Sequence, residues 1–261
     1  MQALYNLGAK DGTAIATTPA GPIKEPLMGA GKVNYDLRQF GWVGSLTVED
    51  TACLVWHTST LKTIDDAKTR DVPLSATGAG SNSTLGPLLL NALLGTRFKP
   101  ISGYDGGTSM LAVEREEVEG RCTTLNSVRG TKARWITEKL VRALVMLSDI
   151  DDPDFPGVPR ARSLLKSDDD RLAFEFFQGP DEIQNPFMLP PGAPADIVDS
   201  YRKAFVAAVK DPEFVALAAQ RQMNIAPHTG AEVQAKIAAM YATPPAVIER
   251  VKRATSLAAG K

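Results

Sequence analysis

The hydrophobic and polar positions of the chain predict short strands that alternate with helices. Near the start, "GTAIATTPAG" is a β-rich run that ends at a Pro/Gly turn, and "FGWVGSLTVEDTACLVWHTS" contains two further apolar runs with strand character. The polar stretch "TIDDAKTRDV" predicts a short helix, after which an extended run resumes from Pro73 to Ala76. These patterns predict a sheet early in the chain.

A strand, a loop, a helix and a second strand then follow in order. The loop is "LSATGAGSNSTLG", the helix is predicted over "PLLLNALLG", and the next strand over "FKPISGY". Such βαβ units form parallel sheets. The pattern therefore predicts an α/β fold.

The remainder of the chain predicts more helix than strand. "GTSMLAVEREEVEG" reads as a helix that Gly120 ends, "RALVML" as a buried strand, and "DIDDPDFPGVP" as an irregular surface loop without a core of its own. The segment "PADIVDSYRKAFVAAVKD" has helical periodicity, "TGAE" at Thr229 fits a capping box, and Thr243 with two prolines opens a further helix. The apolar face of the first of these helices comprises Ile197, Val198, Tyr201, Phe205 and Val209.

Composition and charge exclude several function classes. The chain has 261 residues, 44% of them hydrophobic, which is ample for one large domain or two lobes. The net charge of −1, without a Lys/Arg block, argues against a nucleic-acid partner. The longest apolar stretches fall short of the ~18 residues that a membrane span needs. A globular protein is expected.

The ends of the chain and the cysteines give weaker signals. The first residues, "MQALYNLGAKDGTAIATT", lack the basic start and apolar region of a secretory signal, so either the protein is cytosolic or its true N-terminus is absent. Cys53 and Cys122 have no CxxC spacing and lie far apart in sequence. They are expected to be ordinary packed thiols.

The sequence offers no reactive constellation. His57 and His228 are the two histidines, and nothing around either forms a nucleophile or metal motif. The acidic run from Asp151 to Asp154 lacks the alternating ligands and closing glutamate of a calcium loop. No catalytic residue, metal or cofactor is predicted.

The glycine-rich loop leaves two interpretations open. Gly78 and Gly80 fit the start of a dinucleotide motif, but Ser83 occupies the place of the third glycine, and "FKPISGY" offers no acidic residue for a ribose. A helix N-terminus with neutral donors suits a carboxylate. The alternative is a serine or asparagine helix cap without a ligand. No Lys or Arg lies at 76–83 or 103–109, so recognition without an arginine clamp is expected.

Several segments together resemble the substrate-binding proteins of tripartite tricarboxylate transporters, the Bug family. The resemblance rests on "ATGAGS" after a strand, "ISGYDGG" after the next helix, "AVEREEVEG", and above all "PPGAPADIVDSYRKAF" with the later "DPEF". "AKDGTAIATT" is similar to the family's "PDGYT" strand, so the likeness extends along the whole chain. "GYDGG" and the expanded "DIDDPDFPGVPRARSLL" loop depart from the family pattern.

The resemblance implies a two-lobed, periplasmic-binding-protein type II-like α/β fold, with mixed sheets flanked by helices. The first lobe is expected to comprise residues 1–56 and 187–261, and the second lobe residues 57–186. Two hinge crossings are expected near "CLVWHTS" and "EIQNPFML". Family members have a signal peptide and a first strand, helix and strand before the "PDGYT" element, so the first lobe is expected to be N-terminally incomplete and less stable for it.

The resemblance also implies a ligand site in the cleft between the lobes. Strand ends and the loops that follow them are expected to supply it, since open α/β sheets bind ligands there. The predicted ligand-binding residues are Thr17, Thr18, Ala76, Thr77, Gly78, Gly80, Ser81, Asn82, Gly103, Tyr104, Thr124 and Asn126.

The function implied is that of a periplasmic, monomeric solute-binding receptor without enzymatic activity or cofactor. It is expected to capture a small carboxylated organic acid and to deliver it to the membrane subunits of a tripartite transporter. The alternative is a cytosolic small-molecule sensor or enzyme on the same scaffold, because a fold does not fix a function.

Overall fold

The chain folds into two α/β units. The structure, a computed structural model, describes residues 1–28, 33–48, 50–78, 80–220 and 225–256. The first unit comprises residues 1–49 and 175–248, and the second comprises residues 50–174 and 249–261.

The secondary structure alternates between strands and helices along most of the chain. The strands are β1 (Ala16–Thr17), β2 (Gly41–Ser45), β3 (Thr51–Trp56), β4 (Val72–Ser75), β5 (Phe98–Ile101), β6 (Gly120–Thr124), β7 (Val141–Met146), β8 (Phe187–Leu189) and β9 (His228–Thr229). The α-helices are α1 (Gln2–Leu7), α2 (Gly21–Met28), α3 (Asn82–Leu94), α4 (Gly106–Glu114), α5 (Leu125–Lys132), α6 (Arg134–Thr137), α7 (Ala161–Leu164), α8 (Asp168–Gln178), α9 (Ala195–Ala208), α10 (Pro212–Gln220), α11 (Gly230–Tyr241) and α12 (Pro245–Ser256). Short 3-10 turns span Leu37–Gln39, Asp66–Lys68 and Gly179–Ile183.

The first unit is built on an antiparallel sheet in the order β1-β8-β2-β9. Helix α9 packs on β2, as its predicted apolar face requires: Val198 contacts the position of Gly41, and the Phe205 ring covers Gly44 so closely that a side chain there has no room. The Tyr201 hydroxyl donates to the Gly12 carbonyl at 2.7 Å. The residues of this face are half-buried rather than buried.

The capping box predicted at Thr229 is confirmed. Its hydroxyl accepts from the Glu232 N–H at 3.3 Å, and the Glu232 carboxylate accepts from the Thr229 N–H at 2.6 Å. The two bonds satisfy backbone donors that the start of α11 otherwise leaves unpaired. The predicted helix after Thr243 is also present, as α12.

The second unit is built on a mixed sheet in the order β5-β4-β6-β3-β7. Strands β4, β5 and β6 are parallel, whereas β3 runs antiparallel between β6 and β7. The predicted βαβ unit is confirmed as β4, α3 and β5. On one face of this sheet, Leu54 and Trp135 belong to a buried apolar cluster with side chains of α4 and α5.

The units divide at different residues from the predicted lobes. The prediction drew its boundaries after residues 56 and 186, whereas the units change after residues 49, 174 and 248. Strand β3 pairs on both sides with strands of the second unit, so residues 51–56 belong there. Gly179 contacts Met240 of α11, which places the segment before residue 187 in the first unit.

The expectation of packed free thiols is wrong, because Cys53 and Cys122 form a disulfide. The two residues are 69 apart in sequence but directly opposite each other on β3 and β6. Sequence distance therefore gave no guide to their separation in space, which sheet pairing determines.

Two local predictions also differ from the structure. The "TIDDAKTRDV" segment forms only a 3-10 turn, and Gly120 does not end a helix but begins β6, where a side chain would clash with the Leu54 carbonyl. Helix α4 ends six residues earlier, at Glu114. The strand β6 itself was not predicted.

Candidate functional site

The carboxyl ends of the three parallel strands of the second unit meet at one edge of its sheet. Each strand leads to a helix: β4 to α3 and β5 to α4 through a loop, and β6 directly to α5. Helix N-termini attract anions through unpaired N–H groups and the helix dipole. This edge is the candidate site.

The first loop, 76–81, carries a network of hydroxyl groups. The Ser83 hydroxyl accepts from the Thr77 N–H at 3.1 Å and lies 2.9 Å from the Ser81 hydroxyl. The Thr84 hydroxyl donates to the Gly78 carbonyl at 2.9 Å. Ser83 and Thr84 are buried, so they hold the loop in shape. Ala79, inside this loop, lies outside the described residues.

The second loop, 102–105, is tied to the first. The Gly103 N–H donates to the Thr77 carbonyl at 3.1 Å, and the Ser102 hydroxyl lies 3.4 Å from that of Thr84. Gly103 has φ of 115°, a conformation that favours glycine. Tyr104 is half-buried and packs against the apolar cluster of the unit. The structure thus brings together the two predicted segments 76–82 and 103–104.

The second and third helices are capped by their own side chains. The Asp105 carboxylate accepts from the Thr108 N–H at 2.7 Å, and this bond lowers the pKa of that carboxyl. The Thr124 hydroxyl accepts from the Ser127 N–H at 3.2 Å at the start of α5. Thr124, predicted as a ligand contact, therefore serves as a helix cap.

Helix α3 differs from them at its N-terminus. Ser81 occupies the N-cap position, but among the described residues its side chain makes no capping hydrogen bond to the first turn. Its hydroxyl instead lies within hydrogen-bond distance of Ser83 and Thr84. The Ser81 carbonyl accepts from the N–H groups of Thr84 and Leu85, at 3.0 and 2.9 Å.

A group of ion pairs borders the junction between β6 and α5. The Asp50 carboxylate accepts from the Asn126 N–H at 3.3 Å, and Arg129 lies 3.2 Å from Asp50 and 2.6 Å from Asp152. Burial raises the pKa of the Asp50 carboxyl in spite of the nearby guanidinium. Asn126, predicted as a ligand contact, thus uses its N–H within the protein.

The same group gives structure to the acidic loop. Asp154 also pairs with Arg129, at 2.7 Å, and Asp152 is buried. Burial opposes the charge of Arg129, but its hydrogen bonds to the two aspartates raise its pKa above the ordinary value. The loop is irregular as predicted, yet it is anchored to the core rather than lying loosely over the surface.

Arg121, which is not among the predicted ligand-binding residues, lies beside the same edge. It is the second residue of β6 and keeps only 8% of its surface exposed. Its Nη1 donates to the carbonyl of Gly106, the first residue of α4, at 3.2 Å. The signal in the sequence is a single arginine within "GRCTT", whose other residues suit a buried strand.

Two predicted residues, Thr17 and Thr18, belong to the first unit. Thr17 is exposed in β1, and Thr18 is buried with its hydroxyl 3.2 Å from the Pro19 carbonyl. Their contribution to a ligand site stays a prediction.

The histidines lie away from the loops. His57 follows β3 at the opposite edge of the sheet, where its N–H donates to the Leu140 carbonyl. His228 lies in the first unit, and burial lowers its pKa. Over the described parts of the chain, no group of three or more His, Cys, Asp or Glu side chains is placed to hold a metal ion. Nor does any helix in those parts have the length and apolarity to cross a bilayer.

Comparisons with known proteins give matches in structure. No family model matches the chain, and no curated protein matches it by sequence. A TctC solute-binding protein from Polaromonas, solved without ligand, is 17% identical with a TM-score of 0.73, over 97% of this chain and 82% of that one. The periplasmic binding protein BugD is 20% identical with a TM-score of 0.60, over 97% and 81% of the two chains. MatC from Rhodopseudomonas palustris with bound malate is 21% identical with a TM-score of 0.58, over 96% and 80%.

These likenesses establish the fold. The chain has the α/β fold of periplasmic solute-binding proteins, with one antiparallel and one mixed sheet flanked by helices. The predicted fold class and the resemblance to the tripartite tricarboxylate type are thereby confirmed at the level of fold.

Proposed function

We propose that this protein is a periplasmic receptor that binds a small carboxylated organic acid and delivers it to a tripartite tricarboxylate-type membrane transporter. The acid binds at the carboxyl edge of the second unit, where its carboxylate meets the N-terminus of α3 and the hydroxyl groups of the loop 76–82. The receptor binds its ligand without transforming it.

The observation that carries this proposal is that the three helices that begin at this edge of the sheet differ in the side-chain capping of their N-termini. Asp105 and Thr124 cap α4 and α5, whereas Ser81 leaves α3 without a side-chain cap in the described structure. An acidic ligand oxygen placed at this N-terminus is stabilised by the helix dipole. Buried hydroxyls at Ser83 and Thr84 keep the loop ready for it.

The ligand class follows from the donors. Loop 76–82 contains neutral hydroxyl and amide groups, which favour a carboxylate over a cation. MatC, which shares the fold, was solved with malate. We therefore take small organic diacids as the first candidates.

The disulfide supports a location outside the cytosol. Disulfides form and persist in oxidising compartments such as the bacterial periplasm and are rare where thiols are kept reduced. Cys53 and Cys122 are both buried, as a structural disulfide requires. This favours the periplasmic receptor over a cytosolic sensor or enzyme.

The arrangement of titratable groups supports binding without catalysis. General acid–base chemistry needs a group of suitable pKa within hydrogen-bond reach of the substrate. His57 lies at the opposite edge of the sheet, and Asp105 is engaged in capping α4. The arrangement favours a receptor.

The test is a calorimetric titration of the purified protein with malate, succinate and adipate, and with malamide as the neutral counterpart of malate. The proposal predicts saturable binding of at least one acid and none of malamide. A protein that binds malamide as well as malate, or that binds no acid, contradicts it.

A further inference from the structure

Arg121 has an unusual environment for a buried arginine. At 8% exposure it is more than nine-tenths buried, and its Nε has no hydrogen-bond partner among the described residues. Within the part of the chain that the structure describes, its one hydrogen bond goes from Nη1 to a backbone carbonyl. A buried charge is costly unless a group of opposite charge or several hydrogen bonds compensate it.

The acidic side chains at the two ends of α4 are engaged elsewhere. Glu114 pairs with Lys132 at 2.8 Å, and Asp105 caps its own helix. The aspartates around Arg129 are held by that residue. In the described structure, burial is the one influence acting on the pKa of Arg121, which it lowers, and no carboxylate offsets it.

The strand position and the hydrogen bond of Arg121 place its guanidinium beside the candidate site. Arg121 lies opposite Leu54 on the neighbouring strand, so its side chain shares the sheet face that α4 covers. It reaches the carbonyl of Gly106, at the first turn of α4. That carbonyl already accepts from the Ser109 hydroxyl at 3.0 Å. The guanidinium therefore lies at the end of α4 that adjoins the loops.

We infer that Arg121 is the counter-ion of the bound acid: a ligand carboxylate accepts hydrogen bonds from its guanidinium at the N-terminus of α4. The inference rests on the proposed function and gives its binding site a charged residue. A guanidinium keeps four further N–H donors beside the one used on Gly106, and it stays protonated even when buried. Its planar fork matches the two oxygens of a carboxylate.

This inference departs from the expectation of recognition by neutral donors alone. It also narrows the predicted ligands to anions, because an arginine that lacks its counter-ion discriminates against uncharged solutes such as amides and polyols. An anionic ligand compensates the buried charge of Arg121 and lowers the free energy that its burial costs, whereas a neutral ligand leaves that free-energy cost unchanged.

The matched control is Arg142. It is a half-buried arginine of the same sheet, near the start of β7, and its Nη1 donates to the Leu61 carbonyl at 2.9 Å. Arg142 pairs with Val55, the residue after Leu54 on β3, so its side chain lies on the sheet face opposite to that of Arg121. Replacement of either arginine by methionine removes one charge and one bond to a backbone carbonyl.

The experiment measures malate, succinate and adipate affinity by calorimetry, and the melting temperature without ligand, for the parent, Arg121→Met and Arg142→Met. We expect Arg121→Met to weaken acid binding by about 10- to 100-fold, the range for loss of a charged hydrogen bond, and to keep or raise the melting temperature. Arg142→Met is expected to bind like the parent. If Arg121→Met binds as tightly as the parent, the inference is overturned while the proposed function stands. If the parent binds no acid, both are overturned.

A second measurement covers the case in which Arg121→Met fails to fold. The side-chain Nε–H signal of Arg121, assigned in the parent by its disappearance in Arg121→Lys, is followed by NMR during titration with malate. The inference predicts a shift that saturates together with the calorimetric binding curve. A signal that does not move at saturating malate overturns it, and an equal response to sulfate shows that any oxyanion suffices, which overturns the assignment to a carboxylate.

Discussion

Cys53 and Cys122 lie directly opposite each other on the antiparallel strands β3 and β6, with 3.9 Å between their Cα atoms, and their sulfurs are bonded. The bond links two neighbouring strands in the middle of the second unit's sheet, between residues that are 69 apart in sequence. Strand β4, with the loop of the candidate site behind it, lies within that span. The disulfide therefore restrains the segment that carries the proposed ligand contacts.

Removal of this disulfide is expected to destabilise the second unit by about 2 to 4 kcal/mol, since a closed loop of this length restricts the unfolded chain. The variant Cys53→Ala/Cys122→Ala, which leaves no lone thiol, is compared with the parent by denaturant unfolding. A thiol titration of the unfolded, unreduced parent is expected to find no free thiol. Two free thiols per chain show that the bond does not form in solution.

A methyl group added to the glycine loop is expected to weaken acid binding without disturbing the fold. A side chain at Gly80 meets no protein atom within 4 Å, and its φ is not in the left-handed region. If a ligand lies against this backbone, Gly80→Ala crowds it and costs about 1 to 3 kcal/mol of affinity, the usual cost of overpacking. Gly130→Ala is the control, because Gly130 is equally open but lies in α5. Equal affinities for the two variants speak against a ligand at the loop.

Two of the three aspartates that pair with Arg129, Asp152 and Asp154, are expected to differ in their contribution to stability. Asp152 has 2% of its side chain exposed and Asp154 has 38%, although both lie within 2.7 Å of the guanidinium. Asp152→Asn is expected to cost about 2 kcal/mol, because it breaks a buried pair, and Asp154→Asn under about 1 kcal/mol. Denaturant unfolding of both variants measures the difference. A larger loss for Asp154→Asn contradicts the assignment.

His228 is expected to make the protein less stable in mild acid. Burial, and then the charge of Lys236, lower the pKa of His228, and its Nδ1 is buried without a partner in the described structure. The unfolded chain then binds the proton more readily, so the free energy of unfolding falls as the pH drops through about 6.5. His228→Gln is expected to reduce this fall in the free energy of unfolding between pH 7.5 and pH 5. Denaturant unfolding at about three pH values in this range measures the difference. His57→Gln, which removes the other histidine, is the control.

The fold was predictable where periodicity and turn chemistry act locally. The βαβ unit of β4, α3 and β5 and the capping box at Thr229 followed from patterns of a few residues. Strand β6 was missed because "GRCTT" has one charged residue, two hydroxyl residues and no apolar alternation. Its strand conformation depends on pairing with β3 and β4, which is a long-range effect.

Two features of the candidate site, the disulfide and the position of Arg121, depend on strand β6, which was not predicted. Without β6, Cys122 has no strand partner and Arg121 has no position relative to α4. The loop at 76–82 was predicted because glycine and hydroxyl residues ahead of a helix are a local signal, whereas 103–104 came from the resemblance of "ISGYDGG" to the family pattern. The capping roles of Thr124 and of the Asn126 N–H needed the partners Ser127 and Asp50 to be located in space.

The most direct test of the central claim is a crystal structure of the protein with bound malate, or with whichever organic acid binds most tightly in the titrations. The account predicts one ligand carboxylate within hydrogen-bond distance of the Ser81 and Asn82 segment at the start of α3. A ligand bound elsewhere, or a carboxylate that makes no contact with residues 76–82, contradicts the account.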